Sequence, residues 1–318
     1  MDESIHIVIP VKDMADHVAQ CLATLTGQLS SWDRLTVIDD GSTEDIRAAC
    51  ALPGVEYLRV TRSQGPYAAR HAAASETSCR YLLFVDARCR ARDGLLDAHR
   101  ALLRQPGAAL SATGTRTTAG GRSFAERVAA AQQPFSLDGK IGVPGKLDFF
   151  PTANLGVARS AYQAIGGFRR MRSGADADLC WRIQEAGLGA FAVDERILMD
   201  WVPRASWSSL REQWTRYGAS TAYLEALYPD QSPAAGAAQA PVPARARAAL
   251  RRLNVARPAQ WPITAGYLAA HLAFRSGYRK ARGTAAEPPR TYRREDIQLE
   301  PAAAVGGSDA ARQSGGDR

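Results

Sequence analysis

The chain has 318 residues, 46% hydrophobic and 23% charged, which is material for one large packed domain with appendages and excludes a disordered or fibrous protein. Its net charge of +8 favours an anionic partner such as a nucleotide or a phospholipid. The arginine excess belongs to an Ala/Arg-rich composition, so no nucleic-acid partner is expected. Cysteines at 21, 50, 79, 89 and 180 form no CxxC pair and no zinc spacing, which predicts reduced, buried thiols. The start, "MDESIHIVIPV", has no basic leader region, and no apolar run approaches the roughly 20 residues of a membrane span. The expectation is a soluble, cytoplasmic protein, at most peripheral at the inner face of a membrane.

Strand-like runs alternate with helical stretches through the first hundred residues. "IHIVIP" (5–10) leads to a helix near 14–27, "RLTVIDD" (34–40) to a short helix from about 43, "VEYLRV" (55–60) to a helix near 66–77, and "YLLFVD" closes the series at 81–86. Short β-branched runs interleaved with helices predict βαβ units and a mostly parallel central sheet, an α/β fold. Ligands of such sheets bind beyond the carboxyl ends of the strands. Weight therefore falls on Pro10 to Asp13, Asp39 to Ser42 and Asp86 to Arg88.

Beyond these come a helix near 93–104, a strand near 108–114, a glycine-rich break, a helix near 123–132 and a long loop containing "DGKIGVPGKLDFF". Loops of that length carry function or are disordered. A helix is expected near 206–227, then a linker from about 230 leading into a basic helix. A last helix near 263–281 aligns Tyr267, Phe274 and Tyr278 and ends in Arg275, Arg279, Lys280 and Arg282. That helix either packs on the domain or anchors it at a membrane surface. The divisions predicted are a domain over 1–228, a helical extension over 229–299 and a disordered tail over 300–318.

Three segments can carry chemistry. "VIDDGSTED" places Asp39 and Asp40 at a strand tip, where a carboxylate meets the N–H of a nucleobase or a ribose hydroxyl, or simply builds an Asp turn and helix cap. "SQGPYAARHAA" sets Gly65 before a helix whose Arg70 could direct a cation at a phosphate or base, or lie on its surface. "GADADLCWRIQEAG" puts Asp176 and Asp178 at a helix start, where each caps the helix or serves as a general base.

Together, IVIPVKDM, VIDDGSTE, QGPYAARHAA, FVDARC, NLGVARSAYQAIGGF, ADADLCWRIQEAG and WVPRASWSSLREQWTRYG resemble, in order and spacing over about residues 4–220, the inverting family 2 glycosyltransferases of GT-A fold. The resemblance implies that Pro10, Val11, Asp13, Asp39 and Asp40 hold base and ribose, with Arg70 facing the base. It puts Asp86 beside the ribose and diphosphate of a UDP-, GDP- or dTDP-sugar donor. Asn154, Gly166 and Gly167 would adjoin the sugar pocket, and Asp178 would be structural or face the acceptor. Asp176 would be the catalytic base, taking the proton of an acceptor hydroxyl as it attacks the anomeric carbon. The acceptor itself, whether glycan, lipid-linked, small-molecule or peptide, is not specified.

The chain departs from the family pattern at several places. The second aspartate of the DxD motif, which usually binds Mn or Mg, is Arg88; the glutamate before the catalytic aspartate is Ala175; a family histidine corresponds to Asp200. "QWTRY" (213–217) resembles the QxxRW signature of processive synthases, but without their membrane helices a single transfer is expected. Two mechanisms follow. Either Arg88 neutralises the diphosphate without a metal, since a guanidinium suits phosphate oxygens, or Asp86 and Asp200 hold the divalent metal. A third reading is a catalytically degenerate sugar-nucleotide-binding or scaffold protein of the same fold.

Overall fold

The computed structural model describes residues 3–121, 123–231, 261–283 and 287–300. Strands β1 (Ile5–Val11), β2 (Arg34–Asp39), β3 (Val55–Arg59) and β4 (Tyr81–Val85) pair in parallel, in the order β3-β2-β1-β4. All seven residues of β1 are buried, as expected of a central parallel strand covered on both faces. Ile5, Ile7 and Ile9 enter one core with Val18, Cys21, Leu22 and Leu25 of helix α1 (Ala15–Leu25); Val8 enters the other. Side-chain alternation thus divides one apolar run between two helical layers. Short α2 (Ile46–Ala49) and α3 (Pro66–Ala74) complete the crossovers.

The expected α/β fold with a mostly parallel sheet is found, and the other half of the sheet adds antiparallel pairings. Strands β5 (Cys89–Ala91), β6 (Ala108–Thr117), β7 (Asn154–Ala158) and β8 (Ala190–Trp201) extend the order as β4-β7-β6-β8-β5. β7 runs antiparallel to both β4 and β6, β5 runs antiparallel to β8, and only β6 and β8 are parallel. The sheet is mixed. An apolar run such as "NLGVA" carries no mark of direction, so the inserted strand could not be oriented from its residues. Helices α4 (Leu95–Leu103), α5 (Phe124–Gln132), α6 (Arg159–Ala164), α7 (Ala175–Glu185) and α8 (Trp207–Leu227) pack around it. All five cysteines are buried and free.

Of the two readings of the last helix, α9 (Trp261–Ala281), the structure shows packing: it lies along α8 and against α5. Gly218 of α8 meets the Phe274 carbonyl and Gly277 of α9 meets the Thr215 carbonyl, so the two backbones touch. The opposite face exposes Leu268 and Leu272 ahead of Arg275 and Arg279. Residues 287–300 then return to the domain. Leu299 bridges Val60, Thr291 bridges Arg169, and Tyr292 and Ile297 are buried in the main core. The expected linker and basic helix over 232–260 and the expected tail over 301–318 lie outside the described residues. No described helix is long and apolar enough to cross a membrane.

Candidate active site

A cavity of about 1200 Å³ opens at the carboxyl ends of β1, β2 and β4, where a sheet of this kind binds ligands. Pro10, Val11, Asp13, Asp40, Arg70, Asp86, Arg88 and Asp176 all line it. These eight positions come from five chain segments, which the ends of three neighbouring strands, helix α3 and the first turn of α7 bring together.

At one end, Asp13 adopts a left-handed backbone (φ 50°) and accepts hydrogen bonds from the Thr43 amide (2.6 Å) and hydroxyl (2.9 Å). Asp40 accepts from Ser63 Oγ (2.8 Å) and the amides of Gln64 and Gly65 (both 3.0 Å), which shapes the loop before α3. Asp39 does not reach the cavity. Its buried carboxylate accepts from the Ser42 amide, Tyr57 and Arg59, so the first aspartate of the pair builds the turn and only the second faces the cleft. The expectation that both hold the nucleotide is corrected for Asp39.

Arg70 differs from its expected role as a base contact. It is 2% exposed, and its Nη2 donates to Asp86 Oδ1 at 2.5 Å. The Tyr67 ring, one turn earlier on α3, lies 5.6 Å from the guanidinium carbon. Arg70 therefore fixes the Asp86 carboxylate and lends its charge to Asp176. Burial pushes the Asp176 carboxyl above its ordinary value, while the Ala177 amide, Arg70 and the Tyr67 hydroxyl oppose the shift. An aspartate raised by burial yet surrounded by donors suits a general base.

Four expected site residues serve packing instead. Asn154 is fully buried, accepts from His99 Nε2 through Oδ1, and donates to Thr113 and Thr115 through Nδ2. Gly166 and Gly167 adopt φ of 71° and 69°, and a Cβ on Gly167 would strike His71 and Tyr162. They form the turn beneath α7 and line no part of the cavity. Asp178 is buried against Arg169, Arg182 and Tyr228, which leaves the structural half of its expectation.

Residues 6–166 match the profile of Glycosyl transferase family 2. The chain belongs to glycosyl transferase family 2. Pre-mycofactocin glycosyltransferase of Mycobacterium tuberculosis is 29% identical over 245 residues, covering 71% of this chain and 48% of that protein. Glycosyltransferase AglE of Haloferax volcanii is 25% identical over 195 residues, covering 58% and 62%. The family 2 chain thus spans about half to three fifths of the length of these relatives. Among solved structures, the mannosyltransferase PcManGT of Pyrobaculum calidifontis, in complex with GDP-Man and Mn2+, superposes with a TM-score of 0.57 at 16% identity, covering 84% of this chain and 86% of that one. The likeness shows the GT-A fold.

The family's divalent metal meets an unsuitable donor set in this chain. Asp86 is paired with Arg70, and Arg88 occupies the second carboxylate position. Asp200 points away from the cavity, its two oxygens held by Arg92 and Arg116 (2.9 Å each). Among the described residues no group of three His, Cys, Asp or Glu is placed to hold an ion. Among the described residues the donor set therefore does not fit a Mn or Mg site, and Asp200 lies outside the cavity.

The structure adds wall residues that sequence reasoning missed. Tyr67 shares a helix face with Arg70 at i, i+3, a spacing that could have revealed it. Lys140 lies in the long glycine-rich loop, and its pKa is lowered to about 8, chiefly by burial. Arg204 follows β8, Arg216 and Tyr217 lie on α8, and Tyr292 comes from the returning C-terminal segment. Nothing in the residues around Tyr292 marks it in advance.

Proposed function

We propose that this chain transfers one sugar from a nucleoside-diphosphate donor to an acceptor hydroxyl, inverting the anomeric carbon. The observation that carries the reading is that Asp176 and the Arg70–Asp86 pair face one cavity at the strand ends. The nucleoside lies toward Pro10, Val11, Asp13 and Asp40, and the diphosphate toward Asp86 and Arg88. A UDP, GDP or dTDP donor is compatible with this division; the GDP-Man bound to PcManGT supports the donor class.

In the transfer, an Asp176 carboxylate oxygen takes the acceptor hydroxyl proton as the acceptor oxygen forms its bond to the anomeric carbon. The bond from that carbon to the donor phosphate oxygen breaks on the opposite face. Its electron pair leaves on the nucleoside diphosphate, and the carbon inverts. Positioning of acceptor and donor supplies much of the rate, and cations facing the departing diphosphate supply electrostatic stabilisation.

A thermal-shift screen of the full chain with UDP-, GDP- and dTDP-sugars, with and without Mn, tests the reading. Stabilisation by one donor class, with donor turnover that fails in Asp176→Asn, is the expected result. If the wild type neither binds nor turns over any sugar nucleotide, the enzyme reading fails; binding without turnover favours the degenerate-protein reading.

The outward face of α9, with Leu268 and Leu272 followed by Arg275 and Arg279, suits contact with an anionic membrane surface. Co-sedimentation with phosphatidylglycerol vesicles but not with neutral ones is the expected outcome. Equal recovery in both supernatants removes that localisation.

A further inference from the structure

Two guanidinium groups, Arg88 and Arg204, face the cavity beside Asp86, and neither makes an ion pair among the described residues. Arg88 stands where β4 gives way to β5, and Arg204 follows the end of β8. The backbone brings them together: β5 pairs with β8 with Cys89 opposite Trp201, the Val202 amide donates to the Arg88 carbonyl at 3.0 Å, and Arg88 Nη1 donates to the Pro203 carbonyl at 3.2 Å. Arg88 is thereby tied to the residue immediately before Arg204. Its Nε is buried without a hydrogen-bond partner among the described residues. Arg204 makes no hydrogen bond or ion pair among the described residues.

This arrangement is costly without an anion. Burial first, and the charge of Arg204 next, push the Arg88 guanidinium below its ordinary pKa, so the two groups repel across a partly dehydrated wall. Several other arginines of the region are already matched by carboxylates. Arg70 is taken by Asp86, Arg92 and Arg116 by Asp200, and Arg170 by Asp296. Two adjoining forks of donors beside a cleft fit a ligand with several phosphate oxygens, since guanidinium and phosphate pair through parallel charge-assisted hydrogen bonds.

We propose that Arg88 and Arg204 form a two-arginine clamp for the donor diphosphate that takes the place of the divalent metal. The inference rests on the transferase reading and deepens it by naming what receives the leaving group. As the bond from the anomeric carbon to the phosphate oxygen breaks, the departing electron pair adds charge to the diphosphate. Two fixed cations stabilise that charge with no proton transfer to it. Asp86, paired with Arg70, lines the same cavity and holds no metal.

The test measures binding of inorganic pyrophosphate and of inorganic phosphate to the full chain by calorimetry in excess EDTA, then with Mn added. The wild type is expected to bind pyrophosphate in EDTA, more tightly than phosphate, with less than a threefold change on adding Mn. Arg88→Ala and Arg204→Ala are each expected to weaken pyrophosphate at least tenfold while retaining the wild-type melting transition, and Arg88→Lys to lose less. Arg88→Asp, which restores a second carboxylate, is expected to lose binding in EDTA and regain it with Mn. Pyrophosphate binding by the wild type that vanishes in EDTA, phosphate bound as tightly as pyrophosphate, or unchanged binding in Arg204→Ala would overturn the clamp. Should either alanine variant fail to fold, Arg88→Lys and Arg204→Lys decide, because unchanged pyrophosphate affinity in both also overturns it. Sugar-nucleotide turnover with strict Mn dependence sinks the clamp and leaves the transferase standing. Pyrophosphate binding without binding of any sugar nucleotide does the reverse.

Discussion

Asp176 occupies the first helical turn of α7, where its neighbours set its protonation. Burial raises its pKa, and Arg70 is one of the groups that hold it down. A base must be deprotonated, so activity should fall as pH drops through a value above the ordinary carboxylate range, and this acid limb should appear in the pH profile of kcat/KM. Asp176→Asn should reduce kcat by about 10²–10⁴-fold with little change in donor affinity, and retained turnover would displace Asp176 from the role. Arg70→Ala removes an opposing charge, so the acid limb should move to still higher pH. The same variant leaves Asp86 without its partner and should loosen the nucleoside diphosphate. An unmoved limb in that variant would show that Arg70 acts only on Asp86. At this scale the sequence is legible in part. Residue types at strand ends indicated Asp40 and Asp86, and a helix start indicated Asp176, but which member of Asp39–Asp40 faces the cleft depends on Tyr57 and Arg59, two residues of a neighbouring strand.

The α8–α9 pair makes the element scale testable. Gly218 and Gly277 let two backbones touch, and a Cβ at either would land on a carbonyl of the facing helix. Overpacking of this kind costs about 1–3 kcal/mol. Gly218→Ala should therefore lower stability and leave α9 open to limited proteolysis while residues 6–166 keep their protection, and an unchanged cleavage pattern would refute this close packing. The helix itself was readable from its apolar stripe, whereas its partner was not, because glycines carry no periodic signal. Likewise β1 to β4 announced themselves as buried apolar runs. β8 did not: its sequence, "AFAVDERILMDW", keeps charged residues in its exposed stretch and shifts register against β6 near Thr113 to Thr115. Period-2 reasoning fails where bulges break the alternation. Within residues 287–300 only Tyr292 and Ile297 are buried hydrophobics, too few to predict the segment's return to the core.

On the scale of the whole molecule, three of the five histidines are buried, and their protonation should weigh on acid stability. His6 of β1 bonds Thr36, His71 of α3 bonds Tyr162, and His99 of α4 bonds Ser111 and Asn154. Burial is the largest cause lowering each pKa, to about 3 for His6 and about 4 for His71 and His99. A depressed folded-state pKa contributes stability that is complete above the unfolded value of about 6.5 and is lost as pH falls toward the folded value. Near pH 5 the unfolded chain holds nearly three more protons at these sites than the folded one. Their combined slope is then on the order of 4 kcal/mol per pH unit. Against a typical stability of about 5–15 kcal/mol, a fall from pH 6.5 to 5 consumes a large part of what a domain has. Asp176, raised by burial, works in the opposite direction but is a single carboxyl. Urea unfolding at pH 7.5, 6.0 and 5.0 should therefore show a steep loss of midpoint below pH 6.5 with little change above it. A midpoint constant from pH 7.5 to 5.0 would mean that these histidines titrate in the folded chain as they do in the unfolded one.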